Sequence, residues 1–189
     1  MKVINDAIHG QFRIEGVRAD LLSTPEMNKL SHIKQLGLAH LVFPGAHHTR
    51  FEHSLGVSHI AGMMAESLGL DEHETNTVQA AAMLHDVGHG PYSHTLEHIL
   101  HERGGMDHMS ITEGIIVGDY DVMREGEEAS IPNRKTIPEI LDSHGLDPKE
   151  VAGLIRGPGA GGTERSLSAW TTGKEDFVDQ DLTLAHLVH

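Results

Sequence analysis

A chain of 189 residues without cysteine excludes disulfides and thiolate metal sites, so any transition metal must be held by histidine and carboxylates. A formal net charge of −14 argues against broad nucleic-acid binding, which needs Lys and Arg to neutralise phosphates. With aromatics at 4%, the core must be largely aliphatic, and the absence of any run of about 18 apolar residues excludes a membrane span.

Residues 1–20 read as extended or looped, with Gly10 and Gly16 as breaks. The first residues, MKVINDAIHG, lack the apolar core of a signal segment, which points to the cytoplasm. Thr24 and Pro25 have the chemistry of a helix start, as N-cap and first-turn proline, and Met27, Leu30 and Ile33 fall on one face of the helix they open. Gly37 ends or bends that helix, and Phe43-Pro44-Gly45 marks a turn. A long helix is predicted from Arg50 to Leu68; Ile60, Met63, Met64 and Leu68 recur on it at helical spacing, and the methionine pair reads as core filling. An alanine-rich helix follows over about 75–85, stopped by Gly88 and Gly90. Pro91 opens a further helix to about His101, and helical stretches are predicted at 109–117, 136–143 and 148–155. Helix after helix without strand alternation predicts an all-α fold. The run Gly157-Pro158-Gly159-Ala160-Gly161-Gly162 marks a boundary between a domain at 1–156 and a polar tail at 157–189.

Seventeen histidines, crowded between His85 and His108, turn attention to metal and proton chemistry. His85-Asp86 sits where an apolar helix ends, and His53 lies on the preceding long helix. Within a continuous helix adjacent side chains diverge by about 100°, but a helix end can aim two neighbours at one point. Two imidazoles and a carboxylate suit Mn, Fe, Zn or Mg rather than soft metals. Taken alone, a His-Asp pair is more often a satisfied hydrogen-bonded pair. Arg50 alone reads as a surface charge at a helix start, Gln35 as an ordinary helix residue, His94 and Glu97 as an exposed pair three apart, and His89 as decoration of a glycine-flanked turn.

The longer segments change the weighting. Thr49-Arg50-Phe51-Glu52-His53-Ser54-Leu55-Gly56-Val57 and Leu84-His85-Asp86-Val87-Gly88-His89-Gly90-Pro91-Tyr92-Ser93-His94 resemble the two HD motifs of the deoxynucleoside triphosphate triphosphohydrolases, the family that includes the dGTPases and a vertebrate member with an added SAM domain. Ile8-His9-Gly10, Ile33-Lys34-Gln35-Leu36-Gly37 and Val42-Phe43-Pro44-Gly45-Ala46 match the same family in order, so the resemblance covers about residues 3–117. It implies an HD-domain helical bundle with a divalent metal between helices, held by His53, His85 and Asp86. The implied reaction is hydrolysis of a dNTP to a deoxynucleoside and inorganic triphosphate. The resemblance further implies His94 as general acid, Glu97 as the carboxylate that orients it, His89 and His108 as phosphate contacts, Arg50 as a phosphate-binding arginine and Gln35 as a contact to the sugar 3′-hydroxyl. Relatives assemble, so a homo-oligomer is implied as well.

The family's later Asp-rich stretch ending in Asp-Tyr has no intact copy here. The nearest text is Asp176-Phe177-Val178-Asp179-Gln180-Asp181; Asp179 fits best as fourth metal ligand, with Asp176 and Asp181 in competition. The family pattern fades after about Gly157, which reads as a shortened chain. Two other functions stay open on the sequence: an HD phosphohydrolase for a different nucleotide phosphoester, and a non-catalytic metal- or nucleotide-binding module.

Overall fold

The computed structural model describes residues 1–91, 107–123 and 131–157. Among them are seven α-helices and one two-stranded sheet. The all-α class therefore holds, with one addition at the N-terminus. Strands β1 (Lys2–Asp6) and β2 (Gly10–Ile14) form an antiparallel hairpin in which Lys2 faces Ile14 and Asp6 faces Gly10. Asp6 Oδ1 accepts from the backbone N–H groups of Ile8 and His9, both at 2.8 Å, and closes the turn. In β2 the alternation is present but brief: Phe12 and Ile14 point into the core, while Gln11 and Arg13 face out. Two inward residues are too short a signal to separate a strand from a loop.

Helix α1 (Gly16–Leu21), in a stretch expected to be irregular, buries Val17, Ala19 and Leu21. Thr24 caps α2 (Pro25–Leu30) as expected, accepting from Met27 N–H at 3.3 Å. This helix stops at Leu30, short of Gly37; Ile33 is still buried, but from a turn. The irregular segment that follows returns alongside the start of the next helix, where Arg50 N–H donates to Ile33 O at 2.9 Å and Gln35 N–H to His48 O at 3.1 Å.

Helix α3 (Arg50–Leu68) matches its expected bounds because its ends are chemically explicit. Thr49 and Glu52 form a reciprocal capping box, and Gly69 closes the helix in the left-handed region at φ 70°. Its face toward α4 (Glu72–Leu84) is small: Ser54, Ser58, Ala61, Gly62 and Ala65 lie on that side, with Ser58 Oγ donating to Gln79 O and Gly62 against the Gln79 side chain. From Thr77 to Leu84 every α4 residue is buried, so the two helices approach closely through alanine and glycine. The expected core face of α3 is corrected: Met63 is 53% exposed and Met64 40%, with Ile60 and Leu68 also facing out. Because α3 is apolar on both sides, spacing alone did not say which side meets the protein.

Helix α4 starts at Glu72, three residues before the expected start, because Asp71 and Glu74 build a second capping box. Helices α5 (His108–Val117), α6 (Ile137–Ser143) and α7 (Pro148–Arg156) follow, capped by Asp107, Thr136 and Asp147. The α7 helix packs on α4 and α5, and its Val151 and Ile155 join Met83, Leu84, Ile116 and Leu141 in the core. The helix expected at about 91–101 lies outside the described residues beyond Pro91. No helix among the described residues is long and apolar enough to cross a membrane.

Two polar ties, both partly exposed, fix the N-terminal elements to this bundle. Arg134 bridges Glu26 on α2 (2.7 Å) and Asp121 (2.8 Å). Lys29, also on α2, donates to Val87 O at 2.8 Å, in the turn after α4.

Candidate metal centre

The packing of α3 on α4 decides the site. His53 lies one turn into α3, and His85 is the C-cap of α4, so the antiparallel pair brings the two together. Their Nε2 atoms are 3.3 Å apart, with the ring planes at 70°. His85 Nδ1 is 2.8 Å from Ala82 O, which assigns its proton to Nδ1 and leaves the Nε2 lone pair facing His53. Burial, reinforced by neighbouring His85, holds the His53 imidazole below its ordinary value of 6.5, so it stays in the neutral, ligating form.

Asp86 completes the set, with Oδ1 3.4 Å from His85 Nε2. One ligand atom from each of His53, His85 and Asp86 lies within 4.8 Å of the others. Imidazole nitrogens 3.3 Å apart are at the separation two ligands have at bond lengths of about 2.1 Å around one ion. The donor set, its spacing and the backbone hydrogen bond orienting His85 fit a divalent cation.

Asp86 also anchors the buried wall of the site. Its Oδ2 accepts from Arg50 Nη1 at 2.8 Å, and its Oδ1 is 3.3 Å from His89 Nε2. Burial alone would raise its pKa, but the charges of His85, Arg50 and His89 outweigh that and hold the carboxyl below the ordinary carboxylate value. Arg50 is 2% exposed, so the surface-charge reading of this residue is overturned; from the first residue of α3 its side chain reaches buried Asp86. His89 stacks on His108 with ring centroids 4.1 Å apart, which joins the HD turn to the first residue of α5.

Glycine 88 acts here through its size. A Cβ at this position would lie under 3.0 Å from His108 O and from the backbone and hydroxyl of Thr112. The bare backbone instead lets Gly88 N–H donate to Thr112 Oγ1 at 3.0 Å, while Thr112 Oγ1 lies 3.4 Å from His85 O. Thr112 and Lys29 both hold the HD turn and were not singled out in the sequence; neither a threonine inside a helix nor a lysine on α2 carries a local signal of such a role. Gln35 lies beside the α3 start, and its Oε1 is buried without a hydrogen-bond partner among the described residues. His94, Glu97 and Asp179 lie outside the described residues.

The HD domain family model matches residues 50–158. Over 104 residues the chain is 45% identical to deoxynucleoside triphosphate triphosphohydrolase SAMHD1 of Homo sapiens, covering 51% of this chain and 17% of that protein. It is 37% identical over 160 residues to protein YwfO of Bacillus subtilis, covering 82% of this chain and 36% of the relative. It is 35% identical over 169 residues to the SAMHD1 homolog of Dictyostelium discoideum, covering 82% of this chain and 29% of that one. The chain thus spans well under half the length of each. With the HD motif residues gathered at one point between α3 and α4 and the family model covering more than half the sequence, the chain belongs to the HD-domain family, among the relatives of the deoxynucleoside triphosphate triphosphohydrolases.

Proposed function

We propose that this chain is a metal-dependent phosphohydrolase that converts a dNTP to a deoxynucleoside and inorganic triphosphate. The observation that carries the reading is the convergence of His53, His85 and Asp86 on one point. The names of the relatives and the order of the motifs supply the substrate class.

A divalent cation held by these three residues would supply a water of lowered pKa and a polarised phosphoryl oxygen. Water attacks the α-phosphorus, the bond from that phosphorus to the sugar oxygen breaks, and triphosphate leaves on the other side of the cleavage. The sugar oxygen needs a proton, which we assign to His94, oriented by Glu97. His89 and His108 are assigned to phosphate oxygens; their rings stack, and His89 Nε2 lies 3.3 Å from Asp86 Oδ1. Arg50, paired with Asp86, is assigned to phosphate binding, and Gln35 to the 3′-hydroxyl. Asp179 is proposed as the fourth protein ligand. The proposal includes a cytoplasmic setting, self-association, and a domain edge at 156–157, where α7 ends.

The test is product analysis. Purified protein is incubated with Mn²⁺ and each of the four dNTPs, and nucleosides, nucleotides and polyphosphates are separated. Deoxynucleoside with triphosphate is expected, lost in His85→Ala together with bound metal. In His94→Ala, turnover should vanish while metal content is unchanged. A nucleoside monophosphate product, or activity indifferent to His85→Ala, overturns the proposal.

A further inference from the structure

Six residues along α3 from His53, and six back along α4 from His85, lies a second concavity. That is a rise of about 9 Å from the metal ligands on each helix. Strand β2, helix α1, α3 and α4 border an open pocket of about 480 Å³, within the range of small-molecule sites. One wall is flat: His59 stacks on Phe12 at 4.4 Å with the rings 12° apart. Met63 and Leu70 add apolar surface, which gives the outward-turned Met63 a use that core filling does not.

Two polar groups of this pocket have donors to spare. Arg18 is half-buried, and its guanidinium makes no hydrogen bond or ion pair among the described residues. Burial disfavours its charge, and only Glu15 offsets this electrostatically. Gln79, 8% exposed, directs its amide at Ser58 O from 3.5 Å, the outer limit of a hydrogen bond. Gly62 makes room for that amide, since any Cβ there would collide with it. A guanidinium that lines the pocket beside an apolar wall offers forked donors to a ligand carboxylate.

The charge around the pocket restricts the ligand. Arg13 and Arg18 are balanced by Glu66 and Glu72 in the lining. His59 is held below its ordinary value of 6.5 by burial and by His9 and Arg18, and so adds no positive charge near neutral pH. A polyphosphate would meet the two glutamates with several negative charges, whereas a single negative charge can pair with half-buried Arg18 while exposed Arg13 stays in solvent.

We propose that this pocket binds a monocarboxylate with an apolar, ring-sized body, its carboxylate paired with Arg18 and its body lying against the Phe12–His59 stack. Benzoate is the probe, titrated calorimetrically into the full chain, with inorganic phosphate as comparator. Benzoate should bind and phosphate should bind more weakly. Arg18→Gln should weaken benzoate about tenfold or more, through loss of the charge-assisted pair. Met63→Glu, at a position exposed enough to leave folding intact, should weaken it similarly by placing a like charge on the pocket wall. His85→Ala should bind benzoate as the parent does, which separates this site from the metal centre. Absence of benzoate binding at millimolar concentration, tighter binding of phosphate, or unchanged affinity in folded Arg18→Gln and Met63→Glu would each overturn the proposal.

Discussion

Replacing Gly88 with alanine adds a single methyl group to the most crowded backbone of the site. The new Cβ would fall under 3.0 Å from His108 O and from two atoms of Thr112. None of these is a flexible tip: one is a helix backbone carbonyl, and Thr112 is fully buried on α5. Either the HD turn or the start of α5 must therefore move. Overpacking of this kind costs about 1–3 kcal/mol, and loss of the Gly88 N–H bond to Thr112 adds about 1 kcal/mol. The sum of about 2–4 kcal/mol corresponds to a fall in Tm of roughly 5–15 °C for a chain of this size. Metal stoichiometry should fall with it, since the displaced turn carries His85 and Asp86. The assay is a thermal melt followed by circular dichroism, paired with metal analysis of the purified variant. Gly90→Ala is the control: it meets nothing within 4 Å and does not have a positive φ, so its melt should match the parent. A Gly88→Ala melt within about a degree of the parent would show that α5 yields freely, and the packing argument would be wrong.

Asp86→Asn should destabilise the fold by about 3–5 kcal/mol even without metal, because it takes the carboxylate from a guanidinium that is 2% exposed. Urea unfolding of the metal-stripped protein measures this, and a loss below about 1 kcal/mol would mean that the pair contributes only to metal binding. Asp121 gives a prediction about pH. Its hydrogen bond from Arg134 holds its pKa below the ordinary 3.8, so its contribution to stability is present above that value and is lost as pH falls through the folded-state value. Asp121→Asn should therefore be less stable than the parent at pH 7, with the gap narrowing as pH falls below the ordinary 3.8. A gap of constant size in urea titrations across that range would remove the carboxylate's charge from the explanation.

The parts legible in the sequence were those whose chemistry is local. Thr49 with Glu52 announces the start of α3 and Gly69 its end, and both bounds fall where expected. His53, His85 and Asp86 were identified because their neighbours resemble a known pair of motifs, and the helix packing then brings them within reach of one ion. What stayed hidden depends on which elements meet. Ile60, Met63, Met64 and Leu68 share a face, but the small residues on the opposite face won the contact with α4, because they allow closer packing there. The burial of Arg50 is equally non-local, since it follows from the partner 36 positions later. The hairpin escaped notice because two inward side chains do not establish a period.

Lys29 reaches from α2 to the carbonyl of Val87, immediately after the two adjacent metal ligands. The matched family region begins at Arg50, so this tether, and the Ile33 carbonyl that receives the Arg50 N–H, come from outside it. So do Ile14, Leu21, Met27 and Leu30, none more than 1% exposed. A recombinant fragment cut to the motif-bearing segment would thus lose one side of its interior and a brace of its reactive turn. The leading 49 residues are to be kept in any expression design, grafting experiment or chimera that transfers this metal centre.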